Sequence, residues 1–196
     1  MTRPSRDMVA IKKEKHSKIG KRSSSKGGGF EIEICRQLTK WITGSRKPEI
    51  FWRSKGLGPK ATRDRITGVK RFGDVAPQLG CREGEWLTDK VFIETKFHKD
   101  TVWSFDDLMR DQGKLLLWWL KLIRQAGSAG KLPLMVFKKN RYPICAMYDG
   151  RLAGLLGQFG DISPNMEYWN VRIGWAKVIL WNEFLEIDHL NLKEVL

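Results

Sequence analysis

A helical pattern enclosed by two strand-like segments constrains the fold of this chain more than any other feature. Residues 91–99, VFIETKFHK, alternate as a strand does, and residues 131–140, KLPLMVFKKN, form a second strand candidate. Between them, Ser104 and Asp107 make a variant of the capping box that predicts a helix from there to about Gln125. Its predicted buried stripe consists of Leu108, Gln112, Leu115, Leu116, Trp119, Leu120 and Ile123. Trp118 and Trp119 are interpreted as packing residues of this helix in preference to base-stacking platforms.

The rest of the chain adds one more helix and several strands. Residues 30–43, FEIEICRQLTKWIT, have helical spacing and end near Gly44. Strands are predicted at 49–54 (EIFWRS) and 73–79 (GDVAPQL), with a polar turn at 80–86 (GCREGEW), which makes a strand, hairpin, strand arrangement. Further strands are predicted at 142–150 and 176–187. These elements predict one α/β domain in which helices flank a mixed central sheet.

Positive charge is concentrated in two segments. The net charge is +14, and residues 1–26 and 45–71 each hold nine Lys or Arg against two Asp or Glu, so the remaining chain is neutral. Residues 1–25 are predicted to be a flexible basic arm before a domain at 26–196, and residues 54–72 a basic loop. Such segments are typical of a surface that binds a polyanion such as DNA, although a role in solubility alone is the alternative.

Cysteine usage and hydropathy limit the cellular setting. The three cysteines are far apart and form no C-x-x-C pair, which indicates a reducing compartment and argues against a zinc ribbon. The longest apolar run has six residues, at 115–120, and the N-terminus lacks an apolar signal segment. We expect a cytoplasmic protein of a phage or prokaryotic host cell, without a membrane span. The absence of a G-x-x-x-x-G-K-[ST] motif predicts no nucleotide cofactor.

The first helix carries a carboxylate on its apolar face. The apolar residues between Phe30 and Ile42 span an arc centred on Glu31, whereas Glu33 lies on the opposite, polar face. A carboxylate that faces the core needs a partner, because burial of an unpaired charge costs several kcal/mol. Glu31 is therefore expected to face a cation, which is either a basic side chain or a metal.

Three further residues suggest a hydrolytic metal site. Glu94 and Lys96 share one face of their predicted strand, and Asp74 begins a neighbouring strand twenty positions earlier. If Glu31, Asp74 and Glu94 meet, three carboxylates require a divalent cation, and their hard oxygen ligands favour Mg²⁺, with Mn²⁺ as a substitute. Such a cation with an adjacent lysine suits phosphodiester hydrolysis.

The order of these residues resembles the signature of the PD-(D/E)XK nuclease superfamily. G-D-V at 73–75 precedes E-T-K at 94–96, and K-G-G-G-F-E at 26–31 is similar to the opening of archaeal-type and phage Holliday junction resolvases. The resemblance covers residues 26 to 142, and Gly73 stands where the superfamily usually has proline. It implies a restriction-endonuclease-like fold, a homodimer and cleavage of branched DNA.

The same resemblance implies roles for individual residues. Glu31, Asp74 and Glu94 would bind the metal, Lys96 would be the catalytic lysine, and Arg53 and Ser54 would contact the substrate. Together with the basic segments, this gives a predicted DNA-binding set of Lys26, Arg53, Ser54, Lys55, Lys60, Arg63, Arg65, Lys70 and Arg71. Gln112 is a further candidate, because the predicted stripe of its helix would let it reach the site.

Three functions remain open from the sequence. The leading hypothesis is a Mg²⁺-dependent endonuclease that resolves Holliday junctions, and a restriction-type enzyme or general nickase of the same fold is the nearest alternative. A basic DNA-binding protein without catalytic activity is the alternative of another class, but it would leave Glu31 and the Glu94 and Lys96 pair unexplained.

Overall fold

The computed structural model describes residues 27–54, 73–78, 80–98, 103–157, 166–170 and 174–196. The basic arm at 1–25 and most of the basic loop at 54–72 lie outside these ranges. None of the described helices is both long enough and apolar enough to cross a membrane. The three cysteines are free thiols, as expected from their spacing.

Helix α1 spans residues 27–43 and begins three residues before the predicted start. Ile34 and Leu38 are fully buried, and Glu33 is exposed, so the predicted helical phase is confirmed. The helix ends at Thr43 and is followed by Gly44, which has a φ of +71° and donates its main-chain N–H to the oxygen of Lys40 at 2.8 Å. A left-handed glycine of this kind is a common helix terminator.

Two short strands follow α1 and form an antiparallel pair. Strand β1 is Phe51–Arg53, strand β2 is Val75–Pro77, and Arg53 lies opposite Val75. The segment 80–86 was predicted to be a turn, and this is wrong. It contains the 3-10 turn Arg82–Gly84 and the start of helix α2, Glu85–Lys90. The helix is so short that its buried pair, Leu87 and Thr88, gives no helical period in the sequence.

Within the described ranges, the main sheet has five strands: β3 (Val91–His98), β4 (Leu132–Lys139), β5 (Cys145–Asp149), β6 (Met166–Asn170) and β7 (Gly174–Leu180). Their order in the sheet is β3-β4-β5-β7-β6. Strand β3 pairs in parallel with β4, whereas the other pairs are antiparallel. A parallel pair requires a crossover connection, which here is helical. The predicted mixed central sheet is confirmed.

The crossover consists of two helices, so the prediction of a single helix from Ser104 to Gln125 is wrong. Helix α3 is Phe105–Met109 and helix α4 is Gly113–Ser128. The break contains two left-handed residues, Asp111 with a φ of +55° and Gly113 with a φ of +83°. The predicted cap is confirmed, because the Ser104 hydroxyl accepts a hydrogen bond from the Asp107 main-chain N–H at 3.0 Å.

The last strand prediction is correct only in its first half. Strand β7 ends at Leu180, and helices α5 (Gly150–Leu156), α6 (Trp181–Glu186) and α7 (His189–Val195) complete the elements of this part of the chain. In α6, Trp181 and Phe184 are buried at helical spacing. The Trp181 indole Nε1 donates to Gln37 Oε1 at 2.6 Å, which attaches α6 to α1.

The two faces of β3 pack against different helices. Val91 and Ile93 belong to the core cluster that contains Ile34 of α1. Phe92, on the other face, belongs to the cluster that contains Leu115 and Trp119 of α4. Side chains that alternate along β3 therefore point either toward α1 or toward α4.

Candidate active site

Glu94 and Lys96 lie on the face of β3 that points toward α4. Glu94 is 9% exposed, and its carboxylate forms an ion pair with the Lys96 ammonium. Alternation along β3 gives both side chains the direction of Phe92, which packs in the core beside α4. The two groups share one face, as the sequence predicted, and the ammonium lies directly beside the carboxylate.

Asp74 lies at the outer edge of β3, and its main chain and side chain both attach to that strand. Its N–H donates to the Ile93 oxygen at 2.8 Å. Its Oδ2 accepts two hydrogen bonds from Thr95, one from the main-chain N–H at 2.8 Å and one from Oγ1 at 3.2 Å. Asp74 is 1% exposed. These bonds fix its carboxylate next to the residue that follows Glu94.

Close approach of the main chain at Gly73 makes this attachment possible. Gly73 has a φ of +81°, and a Cβ atom at this position would lie 2.4 Å from the Ile93 oxygen. Proline is restricted to a φ near −65°, so it cannot occupy this backbone conformation. The departure from the proline that is usual in the PD-(D/E)XK signature therefore follows from the local geometry.

Glu31 forms an ion pair with Arg53. The distance from Arg53 Nε to Glu31 Oε2 is 2.9 Å, and the exposed fractions of the two side chains are 39% and 14%. A Cβ atom at Gly28, one turn before Glu31, would lie 2.5 Å from Arg53 Nη1. The guanidinium thus occupies the space beside the first turn of α1. Of the two kinds of cation expected beside Glu31, the structure provides the basic side chain.

The structure brings the predicted carboxylates together only in part. It places Asp74 beside the main chain of Glu94 and Thr95, whereas Glu31 comes from α1, which packs on the opposite face of β3 from Glu94. Within the described ranges, no group of three or more His, Cys, Asp or Glu side chains is arranged to hold a metal ion. The single cluster of three carboxylates expected from the sequence is therefore not present in this arrangement.

Cys35 lies in the core one turn after Glu31, within the electrostatic influence of several carboxylates. Burial is the main reason that the pKa of the Cys35 thiol is raised to about 12, and nearby carboxylates, including Glu31 and Asp74, contribute to the same rise. Arg53 acts in the opposite direction. The pKa of this thiol therefore reflects burial first and the neighbouring carboxylates second.

Most of the predicted DNA-binding residues lie outside the described ranges: Lys26, Lys55, Lys60, Arg63, Arg65, Lys70 and Arg71. Of the two that are described, Arg53 contacts Glu31. The Ser54 hydroxyl donates a hydrogen bond to the Gly73 oxygen, and its main-chain N–H donates to the Asp74 oxygen at 2.8 Å. Ser54 thus supports the turn that positions Asp74, and its contact with DNA stays a prediction.

Gln112 is not on a buried helical stripe. It is exposed, it precedes the first residue of α4, and its main-chain N–H donates to the Asp107 oxygen at 2.9 Å. The prediction assumed one continuous helix, and the break at Asp111 to Gly113 changes the direction of Gln112. Its interpretation as a residue of the predicted stripe is wrong.

Sequence reasoning did not assign Thr95 and His98 to the site. Thr95 holds Asp74, and His98 continues the face of β3 that carries Glu94 and Lys96. The His98 ring stacks on Trp118, with centroids 4.6 Å apart and planes 19° apart. Burial lowers the pKa of His98, and the ammonium groups of Lys96 and Lys114 lower it further. The alternation of β3 was the signal that could have placed His98 here.

Comparison with known proteins identifies a family for this chain. The sequence model of one protein family, described as "Phage putative PDDEXK endonuclease", matches residues 22–164. Searches of the curated proteins and of the solved structures found no significant match. The family match covers Glu31, Asp74, Glu94 and Lys96, and the mixed sheet flanked by helices is consistent with a restriction-endonuclease-like fold. The chain belongs to the phage PD-(D/E)XK endonuclease family.

Proposed function

We propose that this endonuclease hydrolyses phosphodiester bonds in branched DNA with the help of a divalent cation, and that it resolves four-way junctions as a homodimer. The observation that carries the proposal is the attachment of Asp74 to β3 beside the Glu94 and Lys96 ion pair. Two buried carboxylates and an ammonium then lie at one edge of the main sheet. This donor set suits phosphoryl transfer.

The carboxylates fit a hard cation better than a soft one. Asp74 and Glu94 would supply oxygen ligands, which favour Mg²⁺ or Mn²⁺ over metals that prefer sulfur. Bound there, the cation would supply Lewis-acid activation of water and of the phosphoryl group. Glu31 is the candidate third carboxylate, and in the DNA-free chain Arg53 neutralises it. Since α1 packs on the other face of β3 from Glu94, Glu31 would reach the cation only if DNA binding both drew the Arg53 guanidinium to a phosphate and shifted Glu31 toward the cation.

The protein groups have separate tasks in this proposal. The hydrogen bonds from Thr95 fix the orientation of the Asp74 carboxylate before the substrate binds, which lowers the reorganisation needed during reaction. The Lys96 ammonium, held by Glu94, orients the attacking water and stabilises negative charge that develops on the phosphoryl oxygens. The basic segments at 1–26 and 45–71 would attract the DNA backbone.

The preference for a four-way junction rests on the resemblance to resolvases and on symmetry. One site of this kind cuts one strand, whereas resolution of a junction requires paired cuts in two strands related by an approximate twofold axis. A C2 dimer presents two identical sites across such an axis, and it is the commonest oligomer symmetry. Trp175, which is 52% exposed, adds support, because aromatic residues are enriched at interfaces.

The decisive experiment compares a four-way junction with a linear duplex built from the same arms, with and without Mg²⁺. We expect cleavage of the junction only with the metal. Glu94→Gln, Asp74→Asn and Lys96→Met should each abolish cleavage while DNA binding stays near that of the wild type. Loss of binding in these variants, or cleavage without a divalent cation, would contradict the proposal. Equal cleavage of the two DNAs would instead favour a general nickase.

Two neighbouring glutamates on α1 give a matched pair of variants. Glu31→Gln should reduce cleavage strongly, because Glu31 is the candidate third carboxylate for the cation and is held by Arg53 until DNA binds. Glu33→Gln should be nearly silent, since Glu33 is exposed and contacts only Gln37, at 3.2 Å, among the described residues. If both variants lost activity equally, Glu31 would have no special place in the site.

The dimer has its own test. Solution mass should be that of two chains at micromolar concentration. When wild type is mixed with an excess of Glu94→Gln protein, cleavage of a cruciform plasmid should shift from paired cuts to single nicks, because each mixed dimer holds one working site. A monomeric mass with an unchanged linear product would refute the dimer and leave the metal-dependent cleavage untouched.

A further inference from the structure

The turn between β4 and β5 carries positive charge that the described part of the chain does not neutralise. Lys138, Lys139 and Arg141 occur within four residues, and the next acidic residue is Asp149. Across the described ranges, none of the three forms an ion pair with a carboxylate. A positive patch of this kind attracts anions from solution.

Two aromatic rings hold the central ammonium of this turn. Lys139 Nζ lies 4.9 Å from the centroid of the Trp103 ring and 4.0 Å from that of the Tyr142 ring. Trp103 is buried, whereas Tyr142 is 51% exposed. The cation–π contacts therefore hold the Lys139 ammonium in place. They also orient the Tyr142 ring, which stays exposed to solvent.

The main chain of the turn is strained at Arg141, where the backbone conformation does not favour arginine. Tyr142 donates its main-chain N–H to the Lys139 oxygen at 3.2 Å, which closes a four-residue turn. Arg141, its third residue, has a φ of +63°. Glycine or asparagine usually occupies such a position, because other side chains are disfavoured there. An arginine held in this conformation points to a use for its side chain.

Strand register places this turn beside the candidate active site. Lys139 lies opposite His98, and His98 follows Lys96 by two residues on the same face of β3. Standard strand dimensions then put the Cα atoms of Lys96 and Lys139 ~8 Å apart. Because β3 and β4 are parallel, their carboxyl ends lie at the same end of the sheet. A DNA strand whose phosphate contacts Lys96 would pass over this turn within one or two nucleotides.

We propose that the β4–β5 turn binds the DNA strand next to the cleaved phosphate, with Lys139 and Arg141 on its phosphates and an unpaired nucleobase stacked on Tyr142. This deepens the proposed function and rests on it, because it names the substrate feature that the site selects. A base inside a continuous duplex is stacked on both faces and has none free for Tyr142, so the site favours DNA with an unpaired, unstacked base beside the cut, as in a gap, a flap or a junction whose centre is opened. Aromatic stacking of this kind accepts any base, so it selects DNA structure and not sequence.

The test measures binding with the metal removed by chelation, so that it does not depend on cleavage. The probes are a fluorescent duplex with a short single-stranded gap and the same duplex with the gap filled, titrated with the full chain. Tyr142→Ala should weaken binding of the gapped probe by about 5- to 150-fold, which corresponds to the loss of one stacked base. Binding of the filled probe should change by less than about threefold. Tyr142→Phe should behave as the wild type on both.

Two further variants separate charge and strain from general damage. Arg141→Gly should weaken binding of both probes and leave the melting temperature unchanged or higher, because it removes a phosphate contact and relieves the left-handed backbone. Lys193→Ala removes the same charge from an exposed position on α7 and should leave both affinities unchanged. Equal losses on the two probes for Tyr142→Ala, or no loss on either, would refute the stacking site. If the wild type bound DNA in this way but never cleaved it, the proposed function would fail and the stacking site would stand.

Discussion

Replacement of Gly73 by alanine tests the geometry of the candidate site most directly. The φ of Gly73 is +81°, and an added Cβ atom would lie 2.4 Å from the Ile93 oxygen. That oxygen accepts the hydrogen bond from the Asp74 main-chain N–H. It belongs to a strand of the main sheet and cannot move without disturbing the pairing of β3 with β4. Gly73→Ala is therefore expected to push Asp74 away from β3.

The structure gives the size of the effect. A Cβ atom in the left-handed region costs about 1–2 kcal/mol. Loss of the main-chain hydrogen bond from Asp74 to Ile93 adds about 1 kcal/mol, and weaker hydrogen bonds from Thr95 to the buried Asp74 carboxylate add about 1–2 kcal/mol. The free energy of unfolding should fall by roughly 3–5 kcal/mol in total, which lowers the melting temperature by about 6–20 °C in a chain of this size.

Gly44 provides the matched control, because it shares the backbone conformation without the close approach. Its φ is +71°, and an added Cβ atom would meet nothing within 4 Å. Gly44→Ala should cost only the conformational term, about 1–2 kcal/mol, and should leave cleavage intact. The assay is thermal unfolding of both variants together with cleavage of a four-way junction. If the two variants lost the same stability, or if Gly73→Ala cleaved as well as the wild type, the link between Gly73 and the position of Asp74 would be refuted.

Three other perturbations give clear outcomes. Arg53→Met should lower the free energy of unfolding by about 1–3 kcal/mol, because it leaves the largely buried Glu31 carboxylate without the Arg53 guanidinium. In a double-mutant cycle, Glu31→Gln should recover part of this loss of stability. Burial raises the pKa of the Cys35 thiol from 9.0 to about 12, so the folded chain keeps a proton that the unfolded chain loses. This contribution to stability is complete below pH 9 and falls by up to about 1.4 kcal/mol per pH unit as the pH rises toward 12. Urea unfolding should therefore show that Cys35→Ala loses less stability than the wild type as the pH rises above 9. Deletion of residues 1–25 should flatten the slope of log K against log salt by roughly 3 to 4 units if four phosphate contacts are lost, and an unchanged slope would show that this segment does not touch DNA.

The parts of the site that depend on local periodicity could be predicted from the sequence. Alternation along residues 91–98 placed Glu94 and Lys96 on one face, and the structure shows them as an ion pair. The helical period of residues 30–43 separated Glu31, whose side chain is mostly buried, from the exposed Glu33. Both patterns are strong because each side chain's direction follows from its own element, without reference to the rest of the fold.

The parts that depend on contacts between distant segments could not be predicted. The sequence separation of Asp74 and Glu94 suggested two strands joined by a turn, whereas α2 lies between them and a main-chain hydrogen bond to Ile93 sets the position of Asp74. The sequence leaves open the identity of the cation beside Glu31, since nothing in α1 indicates that Arg53 of β1 reaches it. Gln112 was misplaced because two left-handed residues interrupt a helix whose apolar pattern appears continuous.

The edge of the main sheet explains why the candidate site forms where it does. Strand β3 is the first strand in the order of the sheet, so one side of its main chain needs other partners. The segment at Asp74 covers that side at Ile93 and Thr95. Among the described residues, no further hydrogen bond is made to this side of the β3 main chain at residues 96–98. A long, fully open edge would invite pairing with another chain, and a fully covered edge would exclude a substrate. Within the residues that the structure describes, this cover stops at Thr95, so the proposed site lies where the attachment of Asp74 to β3 ends and the Glu94 and Lys96 ion pair begins.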